Sequence, residues 1–340
     1  MRIGILSFAH HHAESYIHQL RAIPGAELIG LADDDLERGR SYAEEHGARL
    51  YPSYQALLDD GPDGVLICSE NSGHRALTEL AAEAGVHVMC EKPLATKLAD
   101  AQAMIDACRA AGVVLMTAFP MRFSAPIVAV KERLDDGDMG QVYCYNTTNQ
   151  GRMPINERPW FVDKELAGGG AVMDHTVHLA DILRWFTKSE VTEVYAQTNR
   201  ILHGDKVEVE TGGQLMLSFG DGTFATIDAS WSKPPNYPTW GGLTMEIISQ
   251  RGLTRVDAFR QNLNLFQQEP AANRWLYWGS NADRGMVEAF LATISQDGQP
   301  GQVVHGGASG EDGYRALEVA LAAYRSAETG QPVQLPLTAG

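Results

Sequence analysis

Across the first 120 or so residues of this 340-residue chain, short β-branched apolar runs alternate with longer amphipathic stretches, an alternation that admits few folds. The runs Ile3–Leu6, Leu28–Ala32, Val65–Cys68, Val86–Cys90 and Val113–Ala118 are apolar on both faces, as strands of a covered parallel sheet must be. Between them, residues 13–22, 36–46, 73–84 and 97–111 carry apolar side chains at three- and four-residue spacing. Several of these segments stop at glycine, namely Gly47, Gly85 and Gly112, as helices commonly do. The pattern predicts βαβ units wound on both sides of one parallel sheet.

After Arg122 the character changes. A helix near 125–135 and the turn Asp136-Gly137-Asp138 lead into alternating segments at 141–149, 191–201, 213–220, 223–231, 243–250, 253–259 and 262–268. Such alternation marks strands with one solvated face and predicts a large, mostly antiparallel sheet. Gly220-Asp221-Gly222 and Gln250-Arg251-Gly252 read as hairpin turns. Helices are predicted from about Ala171 to Phe186 and near 283–296 and 311–328, and the change of character places a domain boundary between residues 1–122 and 123–340.

The 27 basic and 43 acidic residues give a net charge of -16 with no cluster of Lys and Arg, which argues against a nucleic-acid or anionic-membrane surface. The apolar stretch at Met1–Ser7 is too short for a secretion signal, and no segment approaches the roughly 20 apolar residues of a membrane span, so a cytoplasmic location is expected. Cys68, Cys90, Cys108 and Cys144 show no CxxC spacing and imply neither disulfides nor zinc.

Ligands of a doubly wound sheet lie at the carboxyl ends of its strands, where the first strand-to-helix turn meets a pyrophosphate. Here that turn is Ser7-Phe8-Ala9-His10-His11-His12: Ser7 and Ala9 stand where the first two glycines of G-x-G-x-x-G would fall, and His12 or Ala13 near the third. The second strand ends at Asp33, suited to ribose hydroxyls, and Asp33-Asp34-Asp35 would repel a 2′-phosphate, so NAD is preferred to NADP. Asp35 suits an N-cap. Neighbouring residues on a helix point apart, and no Cys or carboxylate lies at ligand spacing beside His10–His12, so no metal is predicted there.

Two motifs carry chemistry. Gly168-Gly169-Gly170 leads into Asp174 and His178, which at i, i+4 spacing share a helix face; a carboxylate one turn from an imidazole can orient the ring for proton transfer. Cys90-Glu91-Lys92-Pro93 follows a strand, and the residue before proline avoids the helical region, so Lys92 is expected to aim into the cleft. An ammonium beside a hydroxyl eases its deprotonation.

Asp33, Glu91-Lys92-Pro93 and the Gly168–His178 motif, in this order, resemble the Gfo/Idh/MocA family of NAD(P)-dependent oxidoreductases. The likeness spans nearly the whole chain and includes residues 84–94, Met121-Arg122-Phe123 and the closing segment 326–333. It departs at the glycine-poor turn and at Ser69-Glu70-Asn71, where the family commonly has Thr-Pro-Asn. The resemblance implies a fold of class α/β, an N-terminal doubly wound Rossmann domain plus a C-terminal α+β domain whose open sheet supports homodimers or homotetramers.

It further implies that Lys92, Asp174 and His178 converge on the nicotinamide and act on a secondary alcohol of a sugar, inositol or related polyol. His178 would take the proton, Asp174 would orient His178, and Lys92 would hold the oxygen. Cofactor contacts are expected from Ser7, Phe8, Ala9, His10, Asp33, Ser69, Asn71, His74, Glu91 and Lys92. Substrate contacts are expected from Arg122, Arg152, Trp160 and His175 beside the catalytic three. Trp231, Pro234, Pro235, Tyr237 and Trp240 form an aromatic, proline-rich loop that either covers the cleft or meets another subunit. Two other readings stand open: NAD-assisted glycoside cleavage or elimination without net redox change, and a non-enzymatic dinucleotide- or sugar-binding regulator.

Overall fold

The computed structural model describes residues 1–260, 280–295 and 303–337, with the backbone of two further strands at 262–267 and 272–277. The first layer runs β1 (Arg2–Leu6), α1 (His12–Ala22), β2 (Glu27–Ala32), α2 (Leu36–His46), α3 (Tyr54–Leu58), β3 (Gly64–Ile67), α4 (His74–Glu83), β4 (His87–Cys90), α5 (Leu98–Ala111) and β5 (Leu115–Thr117). Its strands lie in the order β2-β1-β3-β4-β5, all parallel. Local chemistry fixes the helix ends: Asp35 accepts from the Glu37 and Arg38 N–H groups and caps α2, while Gly47 and Gly112 close α2 and α5 in the left-handed conformation.

The chain continues through α6 (Ala125–Asp135), β6 (Val142–Arg152), the single turn α7 (Lys164–Ala167), α8 (Ala171–Thr187), β7 (Val191–Asn199), β8 (Gly212–Phe219), β9 (Phe224–Lys233), β10 (Gly241–Ser249) and β11 (Gly252–Asp257). It closes with β12 (Asn262–Gln267), β13 (Ala272–Tyr277), α9 (Ala282–Ser295), β14 (Ala308–Ser309), α10 (Gly310–Thr329) and β15 (Val333–Gln334). Seven strands form the second sheet in the order β11-β10-β6-β9-β8-β7-β15, antiparallel except for the parallel pair β6 and β9. Both expected hairpins are present, joining β8 to β9 and β10 to β11.

The strand expected at 262–268 does not extend this sheet. Residues 262–267 pair with β13 as a separate two-stranded ribbon, and residue 268 lies outside the described residues, as does residue 296 of the helix expected at 283–296. The two layers also interleave. β14 adds antiparallel to the β5 edge of the first sheet, and α9 packs Met286, Val287 and Phe290 into the apolar cluster built from Ile3, Ile5, Tyr16 and Ile17. Burying a side chain such as Phe290 completely stabilises the fold by about 1.5–3 kcal/mol. The opposite face of the first sheet shares a continuous core with α8, α10 and the inner face of the second sheet, which sets α8 against the strand ends of the first layer.

Candidate active site

The start of α8 shows why three glycines precede it. Gly168 adopts φ +83° and closes α7; a Cβ on Gly169 would overlap the Tyr324 hydroxyl, and one on Gly170 would overlap the Glu210 carbonyl. Their bareness lets Glu210 Oε1 accept the Gly170 and Val172 N–H groups at 2.9 and 3.0 Å, while the Tyr324 hydroxyl donates to the same carboxylate at 2.7 Å and accepts from Met173 N–H at 3.1 Å. Otherwise unpaired donors of the first helical turn are thus satisfied by side chains. Neither Glu210 nor Tyr324 stood out in the sequence, because both lie far from the motif they brace.

Asp174, fixed in that first turn, meets Lys92 from the end of β4: Lys92 Nζ donates to Asp174 Oδ1 at 2.7 Å and to its carbonyl at 3.3 Å. Trp231 Nε1 donates to Oδ2 at 3.2 Å. Burial alone would raise the Asp174 carboxyl, but the Lys92 ammonium outweighs it and holds this group far below the usual carboxylate range. The expected Asp174–His178 couple is therefore corrected. The two share a face, but the carboxylate spends its hydrogen bonds on Lys92 and Trp231, and His178 Nδ1 is buried without a partner. Burial, with the Lys92 charge adding to it, pushes His178 well below its ordinary value, so it is a neutral imidazole at neutral pH.

Lys92, Asp174, His175 and His178 line one cavity of about 220 Å³ with His11, His12, Asn149, Phe161, Trp240 and Asp283. His175 faces this cavity despite its place beside Asp174, its Nε2 being 3.5 Å from Asp174 Oδ2. Its ring has room because β6 carries glycine at 151, where a Cβ would lie 2.8 Å from the imidazole. Trp231 is not part of a covering loop: it is fully buried within β9, and among the aromatics expected there Trp240 reaches the cavity.

At the first turn, Ser7 adopts φ +70°, the left-handed conformation that glycine favours, so the backbone course of a glycine turn survives without the glycine. Its neighbours turn their N–H groups inward: Phe8 donates to Asp33 Oδ2 at 2.7 Å, Ala9 to Ser7 Oγ at 3.2 Å and His10 to the Cys68 carbonyl at 2.8 Å. Asp33 is more occupied than expected. Arg38 grips it bidentately at 2.7 and 3.0 Å, and Asp35 N–H adds a fourth donor at 2.9 Å, so a ribose hydroxyl must share or displace Arg38. Nothing in the sequence spacing pointed to Arg38 as the partner of Asp33.

The oxidoreductase-family model for an NAD-binding Rossmann fold matches residues 2–119, and the GFO/IDH/MocA C-terminal domain model matches residues 127–255. The chain is 32% identical to 1,5-anhydro-D-fructose reductase of Ensifer adhaerens over 98% of each chain. It belongs to the Gfo/Idh/MocA oxidoreductase family. It is likewise 30% identical to myo-inositol 2-dehydrogenase of Thermotoga maritima over 98% of both chains. Among solved structures it resembles GenD2 of gentamicin A biosynthesis in complex with NAD, with TM-score 0.86 and 24% identity over 99% and 97% of the two chains, which speaks for the fold alone. It also resembles aldose-aldose oxidoreductase of Caulobacter crescentus complexed with glycerol, with TM-score 0.81 and 28% identity over 98% and 99%.

As a Gfo/Idh/MocA oxidoreductase the chain carries an NAD-binding Rossmann domain, and its residues fit a dinucleotide. Asn71 Oδ1 and His74 Nε2 are buried at the strand ends with no protein partner, and such atoms are costly unless something satisfies them. The remaining bonds of this group are structural: Asn71 Nδ2 donates to the Ala167 carbonyl at 2.8 Å, and Ser69 Oγ donates to the Glu70 carbonyl at 3.0 Å. His74 Nδ1 meets the Pro93 carbonyl at 3.1 Å and so braces the turn after Lys92. Glu91 is fully buried, where it accepts from the Tyr16 hydroxyl and the Lys92 N–H and meets His12 Nδ1 at 3.0 Å.

Two expected substrate contacts are corrected. Arg122 forms a buried bidentate pair with Asp181 at 2.6 and 2.7 Å and donates Nη1 to the Gly307 carbonyl at 3.2 Å, so all three guanidinium nitrogens are engaged within the protein. Trp160 is buried and donates its Nε1 to the Ala9 carbonyl at 2.9 Å, bracing the first turn; its neighbour Phe161 lines the cavity instead. Arg152 lies behind the cavity wall with its guanidinium 5.2 Å from the Trp240 ring and a donor to the Pro235 carbonyl at 3.3 Å. No helix among the described residues is long and apolar enough to cross a membrane.

Proposed function

We propose that this enzyme transfers hydride between a secondary alcohol of a sugar or related polyol and NAD. The observation that carries the reading is the 2.7 Å Lys92–Asp174 contact on the wall of a cavity that the unpartnered His178 also lines. Bound NAD supplies the hydride acceptor. Lys92 directs its ammonium at the substrate oxygen and stabilises the negative charge that develops there as the O–H proton leaves for His178. A neutral imidazole is ready to take that proton without first losing one. Asp174 fixes the Lys92 ammonium, and Trp231 fixes Asp174. Ser7, Phe8, Ala9, Asp33, Asn71 and His74 hold the cofactor along the strand ends.

A cavity of about 220 Å³ is below the range for drug-sized ligands and suits a single small ring or short polyol. His175, Asn149 and Asp283 offer it polar groups. Reductase and dehydrogenase relatives named for anhydrofructose and inositol support the substrate class.

The test is NADH formation with a panel of aldoses, inositols and linear polyols. At least one should yield NADH, and His178→Ala should lower kcat by about 10²- to 10⁴-fold while leaving NAD affinity nearly unchanged. Equal losses in both would overturn the assignment of His178, and conversion of a glycoside without net NADH would move the enzyme to the redox-neutral reading.

A further inference from the structure

The turn after β1 and the end of β4 bring together three groups that the chemistry above does not require. His10 Nε2 lies 3.9 Å from Glu91 Oε2 and His12 Nδ1 lies 3.0 Å from Glu91 Oε1, so two imidazoles flank the two oxygens of one carboxylate. One ligand atom from each residue lies within 4.8 Å of the others. His10 is 1% exposed and its Nε2 has no hydrogen-bond partner, while Glu91 is fully buried. A buried nitrogen aimed at a carboxylate it does not reach is a vacancy in the protein's own bonding.

We propose that His10, His12 and Glu91 form a binding site for a divalent first-row transition metal of the zinc type. Two imidazoles and a carboxylate are the donors such ions take, and the set leaves a coordination position open. With metal–ligand bonds of about 2.0–2.2 Å in a tetrahedral site, neighbouring donor atoms stand about 3.3–3.6 Å apart, so the 3.0 Å His12–Glu91 edge must open by a few tenths of an ångström. The His10 edge must contract by about half an ångström. Nothing is redox-active in the step: the ion binds through lone pairs, and the proton between His12 Nδ1 and Glu91 is released to solvent.

One internal bond opposes loading. The His12 N–H now donates to His10 Nδ1 at 3.3 Å, and ligation through Nε2 requires Nδ1 to carry the ring proton. That long hydrogen bond is exchanged for coordination of all three ligands. The Tyr16 hydroxyl keeps its bond to Glu91 and serves as an outer partner. His12 also lines the catalytic cavity, so the cluster adjoins the space assigned to substrate. The site rests on its own geometry and not on the hydride-transfer reading.

The test uses the full chain, stripped with chelator and titrated without NAD with zinc, cobalt(II), manganese(II) and magnesium by calorimetry, with metal content measured after dialysis. Zinc and cobalt should bind at one ion per chain, tighter than about 10 μM, and magnesium should not. His10→Ala and His12→Ala should each weaken zinc by at least about tenfold, while His18→Ala, at an exposed position on α1 whose ring meets His46, should leave it unchanged. Absence of stoichiometric binding to the unmodified chain overturns the site, and so does binding that survives both substitutions. Neither result bears on whether NADH is formed from a polyol.

Discussion

The hydroxyl of Tyr324 occupies the space that a side chain on Gly169 would need, tying α10 to the start of the helix that carries Asp174 and His178. Glycine at this position is a packing requirement of Tyr324, which also bonds the first turn of α8 through Met173 N–H. Gly169→Ala should therefore destabilise the fold by about 1–3 kcal/mol and lower kcat more than it raises the Kd for NAD. Chemical denaturation and single-turnover kinetics check both, and a variant with unchanged stability would show that α8 yields more easily than its packing indicates.

Trp231 holds Asp174 Oδ2 from a strand of the second sheet. Trp231→Phe keeps the packing and removes one hydrogen bond to a charged group, a loss of about 1.5–3 kcal/mol where that bond is made. The expected effect is a fall in kcat of about tenfold or more with little change in NAD affinity. Asp174→Asn should cost more, since it also strips the counter-charge from buried Lys92.

Arg38 bonds Asp33 bidentately and is the cation beside the carboxylate proposed to meet the adenosine ribose. Arg38→Ala should widen the preference for NAD over NADP, because it frees carboxylate oxygens for ribose hydroxyls and removes a charge that attracts a 2′-phosphate. Paired dissociation constants for the two cofactors decide it; a narrower preference would show that Arg38 acts only as a scaffold.

Acid sensitivity should come in part from Asp312. Burial raises this carboxyl, but Arg122, the Ser309 N–H and Arg184 outweigh it and hold the group below its ordinary value of 3.8. A carboxylate depressed in the folded state contributes stability that is fully present above its unfolded pKa and is lost as pH falls toward the folded one. The slope of unfolding free energy below about pH 5 should flatten in Asp312→Asn, and an unchanged slope would assign the acid sensitivity elsewhere.

The outer face of the second sheet exposes Tyr143, Tyr195, Met216, Phe224 and Ile248 around a polar hollow lined by Thr148, Asp228 and Thr244. We expect this face to seat a second copy of the chain, giving a dimer or tetramer in solution. Met216→Asp combined with Ile248→Asp should shift light-scattering mass toward the monomer, because charges are depleted from interface cores. A wild-type chain already monomeric at micromolar concentration would refute it.

Much of the architecture could be read from periodicity. The five parallel strands are continuous apolar runs, and the second sheet's longer strands alternate cleanly; β14 and β15, at two residues each, are too short to carry a period. The site was legible where residues share a helix or follow a strand, as with Asp174, His178 and Lys92. It was illegible where partners come from distant segments. Glu91 lies 79 positions from His12, so the His10–His12 run looked devoid of a carboxylate that the fold supplies. Arg122 looked like a free cation at a domain junction because Asp181, 59 positions on, is invisible to spacing. Trp160 and Phe161 are adjacent and aromatic, and only packing decides which of the two faces the cavity.

Gly64 at the start of β3 lies against the Phe290 ring, which α9 delivers only after the chain has traversed the second sheet. The nucleotide-binding half is thus completed by a helix that follows the second sheet's long strands in sequence. A fragment ending at residue 122 would leave bare the apolar surface that Met286, Val287 and Phe290 cover in the whole chain.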